Sequence, residues 1–329
     1  MSLGDVARST LGRAIATVVG LGLVALIVRD LGFDVVGHAI ERAAAYFPFI
    51  VLLEGAILAC STLALRALYG DAGKNVPAGQ LARAALVGYA VQGVMPAGRA
   101  AAEATRASLL ARYVGTARAA AAAGRMQAVV LLANGIVSTA ATIAVLVDGR
   151  APRWLPIVIG ANSVVTLGLG AAILIVARRA KIGSWLGRRV KRLAGFGADL
   201  DVALRAEVAV PAAAIAWELL GRIVQVAQNA VLIACLGTGA VSLGLAFCAE
   251  GIHLVGAAVG DLIPAQLGAT EGNFRLAGSA LGLSHASAVS IAVIAHLAQL
   301  VWVSIGALVL LLWRPARLLA TKVPAKEPQ

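Results

Sequence analysis

Arg222 stands inside a long apolar run, where an unpartnered charge at membrane depth costs at least about 2.5–3.5 kcal/mol. Glu218 precedes it by four positions, and Gln225 and Asn229 follow by three and seven, so one helix face carries all four. The chemistry of such a stripe is recognition rather than bond making. A guanidinium meets phosphate or carboxylate through paired N–H donors, and the neighbouring carboxylate and amides orient it. The plainer alternative is a structural Glu218–Arg222 pair near a helix end.

A second constellation occurs twice. Val94-Met95-Pro96-Ala97 is followed by Glu103, and Leu262-Ile263-Pro264-Ala265 by Glu271, each acid seven residues after its proline. Arg106 and Arg275 come three and four residues after these acids, and Gly115 and Gly282 later still. Arg99 adds a further charge beside the first proline. Pro96 and Pro264, with Gly98 and Gly268, read as structural breaks. Glu103 and Glu271 read as groups that orient the arginines, bind a cationic headgroup or accept a proton, the alternative being electrostatics at a helix start. Arg106 and Arg275 read as holding an anionic headgroup, the alternative being a headgroup-facing charge. Thr270 is a candidate cap for the second helix. Glu54, Glu250, His253, Asp261 and His296 also fall in or near apolar segments. Glu250 and His253 share a helix face but have no third ligand, so no metal is expected.

The elements that hold these residues follow from composition. The chain has 329 residues, 60% of them hydrophobic and 13% charged, with mean hydropathy +0.89. A soluble domain carries about 25% charged residues, so this chain cannot cover a water-facing surface. Lipid leaves backbone groups no water to bond, and period-2 alternation is absent, so the spans are helices. The net charge of +12 comes from basic residues at the ends of apolar runs, which suits anionic headgroups and not nucleic acid. Cys60, Cys235 and Cys248 lie far apart and imply neither a disulfide framework nor a metal site. Gly70–Asn75 lacks the P-loop spacing and reads as a turn, and no nucleophile elbow is present. No cofactor is expected.

Apolar segments run at about 14–28, 45–65, 81–95, 126–147, 155–177, 208–236, 241–263 and 286–313. The stretches 99–123 and 180–206 are basic and amphipathic and read as surface helices. Residues 178–205 carry eight basic residues and 96–125 carry five, which places both in the cytoplasm. Segment 81–95 then starts and ends on the same side, and so does 241–263 in the opposite sense. This arrangement puts 22 basic residues inside and five outside, with Arg222 in a span. The expected fold is all-α and polytopic: about six full spans, the first at 14–28, and two re-entrant helical hairpins in an inverted-topology repeat. The first half is 45–147, the second 208–313, with a cytoplasmic linker at 178–206 and a tail at 314–329. Both termini face the cytoplasm of a bacterial inner membrane.

The two proline-centred blocks resemble the lysylphosphatidylglycerol synthase membrane-domain family, also called flippase-like proteins. Pro96, Gly98, Glu103 and Arg106 match its first motif, and Pro264, Gly268, Glu271, Gly282 and Ser284 its second; Gln266 and Ala269 depart from the commoner residues. The resemblance implies movement of a lipid between leaflets. Relatives with lysyl-transferase activity carry a soluble synthase domain after the membrane part, and this chain stops at Gln329, so no enzyme activity is expected.

The expected function is translocation of an anionic or polar-headed lipid, such as a phospholipid, hopanoid or polyprenyl-linked lipid. Arg99, Glu103, Arg106, Glu218, Arg222, Gln225, Glu271 and Arg275 would contact it. Membrane lipids are the expected partners, and a homo-oligomer is left open. The rivals are a membrane-embedded lipid- or glycan-modifying enzyme, a small-solute secondary transporter and a non-transporting scaffold. Single cysteines placed on either side of Pro96 should both react with an impermeant reagent from the cytoplasmic face. Labelling from opposite faces would remove the re-entrant reading.

Overall fold

The computed structural model describes residues 33–312 except 96, 206–210, 237–240, 262, 264–265 and 267. The expected first helix at 14–28, the tail at 314–329 and the hinge prolines Pro96 and Pro264 lie outside the described residues. Twelve α-helices are described: α1 (Phe33–Ala43), α2 (Phe47–Leu68), α3 (Ala78–Val94), α4 (Gly98–Val114), α5 (Thr116–Asp148), α6 (Trp154–Arg179), α7 (Ile182–Arg189), α8 (Ala194–Arg205), α9 (Ala212–Leu236), α10 (Leu243–Gly260), α11 (Ala269–Ala277) and α12 (His285–Leu312). Among the described residues the regular structure is entirely helical, as the lack of alternation requires. Gly70–Asn75 forms a 3₁₀ turn in which Lys74 Nζ lies 2.7 Å from Asp71.

Six of these helices are long and apolar enough to cross a membrane: α2, α5, α6, α9, α10 and α12. By length and composition α10, read from sequence as re-entrant, therefore qualifies as a span. Its packing nevertheless makes it one arm of a hairpin. Asn273 Nδ2 of α11 donates to the Ile252 carbonyl at 2.5 Å, and further along Gly256 lies against Thr270 and Gly260 against Gln266 and Ala269. The pairing runs antiparallel from base to tip.

The same geometry holds for α3 and α4. Gln92 meets Gly98, Gly88 meets Arg106, and Arg112 Nη2 donates to Gln80 Oε1 at 3.2 Å. A Cβ on Gly98 would collide with the Gln92 carbonyl, so only glycine lets the second arm turn back so tightly. Each tip carries residues in the left-handed region: Ala97 (φ 50°) in the first, Gln266 (φ 60°) and Gly268 (φ 78°) in the second. Such conformations persist where surrounding packing imposes them.

This corrects the reading of 99–123 as a surface helix. Helix α4 lies on α3 with Glu103 and Arg106 inside, while Arg112 and Arg118 stay exposed. Gly115 (φ 85°) then separates α4 from α5, whose first turns pack in the core through Ala119 and Ala122.

The two halves interlock. Helix α2 lies along α9, antiparallel, with Cys60 near Gly221 and Ile50 near Gln228. Helix α3 packs on α12 as α10 packs on α5, α2 on α12 as α9 on α5, α4 on α5 as α11 on α12, and α1 on α12 as α8 on α5. Each of these packings thus has a counterpart with the two halves exchanged. Apolar clusters draw on both halves, one of them joining Val137, Val226, Ala246 and Leu254. Helix α6 covers α5 from outside the paired set.

Helices α7 and α8 form a separate small pair, with Gly183 and Gly197 in close backbone contact. No side chain of its own N-cap closes α7; Asp201 does so from α8. Its carboxylate accepts from Gly183 N (2.7 Å), Ser184 N (2.8 Å) and Ser184 Oγ (2.5 Å). Asp201 is covered by its neighbours but sits in a shallow layer of the molecule. Desolvation opposes its charge, yet the hydrogen bonds from Ser184 and Gly183, with Arg205 nearby, outweigh it and hold the carboxyl below its ordinary value. A lowered value means that the stabilisation is complete above the usual carboxylate range and is lost as pH falls through the folded one. Acidification below about pH 4 should therefore speed amide exchange at Gly183 and Ser184. Asp201→Ala should cost about 1 kcal/mol locally and abolish that acid response.

Candidate functional site

The charged residues singled out above converge where the two hairpin tips meet α2 and α9. Arg99 opens the returning arm of the first hairpin, and Asp261 ends the outgoing arm of the second. Their side chains approach to 4.0 Å between Arg99 Nε and Asp261 Oδ1. This ion pair joins one tip to the other, so the hairpins point toward each other. Arg99 is 19% exposed and Asp261 49%, which makes the tip-to-tip contact the open edge of an otherwise buried cluster.

Behind Arg99, Glu103 and Arg106 form a buried ion pair one turn apart on α4. On α9, Arg222 Nη1 donates to Gln225 Oε1 at 2.5 Å and lies 3.6 Å from Glu250 Oε1 of α10. The alternative reading, a Glu218–Arg222 pair, is thus not the one formed. Across the helix interface the fully buried Glu250 offers a carboxylate that also accepts from Asn229 Nδ2 at 2.8 Å. Gln225 Nε2 lies 3.2 Å from His253 Nε2. The polar stripe on α9 therefore meets Glu250 and His253, which share a face of α10 at their i, i+3 spacing.

A second buried node ties α2, α3 and α9. The Tyr89 hydroxyl donates to Glu54 Oε1, and Gln228 Nε2 donates to Glu54 Oε2 and to the Ile50 carbonyl, both at 3.1 Å. Neither Tyr89 nor Gln228 was selected from sequence. Gln228 is six positions beyond Arg222 and points to α2, so the α9 stripe alone did not reveal it. Glu54 was visible as an acid in an apolar run, and a carboxylate there required such donors.

In the second hairpin, Glu271 Oε2 accepts from Gly268 N at 2.8 Å, and Oε1 lies 2.8 Å from His296 Nδ1 of α12. The cap of α11 is therefore Glu271, three residues in, and not Thr270, which is buried with its hydroxyl unpartnered among the described residues. Arg275 is exposed and stands apart from this cluster. The cluster brings together Arg99, Glu103, Arg106, Glu218, Arg222, Gln225 and Glu271, supported by the breaks at Gly98 and Gly268; Pro96 and Pro264 fall outside the described residues. Glu218 lies within electrostatic reach of both Arg99 and Glu103.

Several buried atoms here have no hydrogen-bond partner among the described residues: Glu103 Oε2, Arg106 Nε, Glu218 Oε1 and Arg222 Nε, with Glu250 Oε1, Glu271 Oε1 and His296 Nδ1 held by ion-pair contacts alone. Leaving a buried polar atom unsatisfied costs about 1–3 kcal/mol. Donors and acceptors of this kind grouped beside the meeting point of two backbone breaks form a surface able to bind a charged group.

Comparison with known families agrees with the two proline-centred blocks. The profile for the lysylphosphatidylglycerol synthase TM region matches residues 13–318. The chain belongs to this family. The family region includes both hairpins, the cluster between them and the α7–α8 pair. No curated protein and no solved structure matches the chain. Membership supports a multi-pass membrane protein with a lipid-related function.

Arg222→Ala should remove the cationic partner of the buried Glu250 and leave it only the Asn229 amide, costing about 3–5 kcal/mol. Adding Glu250→Gln should recover much of that loss. Thermal unfolding of the purified single and double variants checks the coupling, and purely additive effects would mean that the two side chains do not act as a pair.

Proposed function

We propose that this protein moves a lipid with an anionic or polar headgroup between the leaflets of a bacterial cytoplasmic membrane. The observation that carries this reading is the meeting of two helical hairpin tips at Arg99 and Asp261, beside buried polar atoms with no partner of their own. A headgroup crossing hydrocarbon must exchange its hydration for groups fixed in protein. Arg99, Arg106 and Arg222 supply N–H donors for phosphate. Glu103 and Glu218 orient them or meet the positive part of a zwitterion. The lipid tails stay in the bilayer.

The mechanism follows from the hairpins. On this reading they are re-entrant and enter from opposite faces of the membrane, the two halves being an inverted repeat. The paired packing of the halves and the tip-to-tip ion pair support that assignment, as does the distribution of basic residues. Parting of the Arg99–Asp261 contact on one side opens the cluster to one leaflet, and the symmetric movement of the other half opens it to the second. The protein breaks no covalent bond, and the described charges act by position and electrostatics alone.

Reconstitution with headgroup-labelled lipid, read by access of a membrane-impermeant quencher, tests the reading. The protein should accelerate leaflet exchange over empty vesicles for at least one of phospholipids, hopanoids and polyprenyl phosphates. Arg99→Gln and Glu218→Gln should each slow it by about tenfold, the worth of one charge-assisted hydrogen bond. Absence of acceleration for every lipid class sinks the proposal, and unchanged rates in both variants remove the site.

A further inference from the structure

The acids that follow the two prolines at the same spacing are held by different cations. In the first hairpin Glu103 pairs with Arg106, a guanidinium that stays protonated at any pH a protein meets. In the second, Glu271 meets His296, and histidine is the side chain whose unperturbed charge change falls between about pH 5 and about pH 8. The two hairpins share a fold and a packing scheme, yet the clasp of only one of them can respond to protons.

The surroundings connect that clasp to the hinge. Glu271 and His296 are nearly buried, with side chains 8% and 10% exposed. The second oxygen of Glu271 holds the Gly268 N–H, next to the left-handed Gln266 and Gly268 that form the turn. One carboxylate therefore bridges the hinge of α11 and the imidazole on α12. Facing His296 within electrostatic reach are Glu54 of α2 and His253 of α10; Arg222 of α9 acts on both of those, and Tyr89 of α3 occupies one oxygen of Glu54. Protonation of His296 thus strengthens its hold on Glu271 and is felt directly by the buried network behind the tips.

We infer that Glu271 and His296 form a proton-binding site that clasps the second hairpin to α12 and couples its opening to pH. At low pH the imidazolium and the carboxylate attract and the hairpin is held. As pH rises the imidazole loses its charge, the clasp weakens, and the hinge at Gln266–Gly268 is freed. If the lipid-moving function proposed above holds, this site joins it to a proton gradient: a proton enters the clasp from one side of the membrane and leaves to the other as the hairpin changes position.

Two measurements separate this inference from the function on which its last step rests. The first uses no lipid transport. Ile263→Cys places a thiol on the exposed tip of the second hairpin, and its rate of modification by a thiol reagent, relative to the protein without that cysteine and corrected for thiolate fraction, reads opening. The rate should rise by at least roughly fivefold between about pH 5 and about pH 8, the low end of ordinary two-state coupling. His296→Gln and Glu271→Gln should flatten the response, and Glu103→Gln should keep it. A flat profile in the parent protein overturns the inference without recourse to any variant, as does a response that survives His296→Gln.

The second measurement imposes a pH gradient on vesicles during leaflet exchange. The gradient should change the rate for the parent protein and leave His296→Gln indifferent. Exchange that ignores the gradient in the parent protein overturns the coupling. If the tip switches with pH while no lipid moves at any pH, the proton site stands and the lipid-moving reading falls.

Discussion

In an apolar bundle a charge and a broken backbone pose the same problem: each presents polar groups that surrounding lipid cannot satisfy. The structure answers by bringing them together. Two helices break, and the breaks face each other across Arg99 and Asp261. Behind that contact three buried acids find partners on other helices, Glu54 on α3 and α9, Glu250 on α9 and Glu271 on α12, while Glu103 pairs with Arg106 within α4. Removing any one partner exposes the others to an uncompensated charge. The cluster thereby constrains how α2, α9 and the two hairpins can be arranged relative to one another.

How much of this was legible in the sequence depends on whether the information was local. The apolar runs carried the helices, because length and hydropathy are properties of a window. The repeated Pro-x₆-Glu spacing located both hairpins, since a break and a nearby acid are written close together. The register of partners was not local. Arg222 shares a helix face with Glu218, and nothing in that spacing says that Glu250, on another helix, comes closer. The basic stretch 99–123 was ambiguous for the same reason: charge at helical spacing suits a headgroup-facing surface and a buried ion pair equally well. Only the close approach permitted by Gly88 and Gly98 decides between them. Arg275 shows the converse, matching Arg106 in sequence while lying outside the cluster.

The family assignment and the geometry meet at the level of lipid chemistry. Membership accounts for the arrangement of spans, and the cluster gives that arrangement something to act on. Its arginines are held at distances set by neighbouring carboxylates and amides, so their orientation is largely prepared before any ligand arrives. Carboxylates outnumber arginines among these buried residues, which sets the site apart from a simple anion hole and leaves room for a ligand of mixed charge.

The cross-packing of the halves bears on how such a chain is made. Gly93 of the first hairpin is seated against Val303, and Leu86 and Ala90 against Gly306, near the far end of the described chain. The outgoing arm of the second hairpin, by contrast, leans on α5, which is synthesised before it. During biogenesis the outgoing arm of the earlier hairpin must wait for α12 to supply its neighbour, whereas that of the later one arrives at a surface already built. The two halves, alike in architecture, are therefore unlike in their dependence on the order of translation, and a chain that stops short of α12 would strand the first of them.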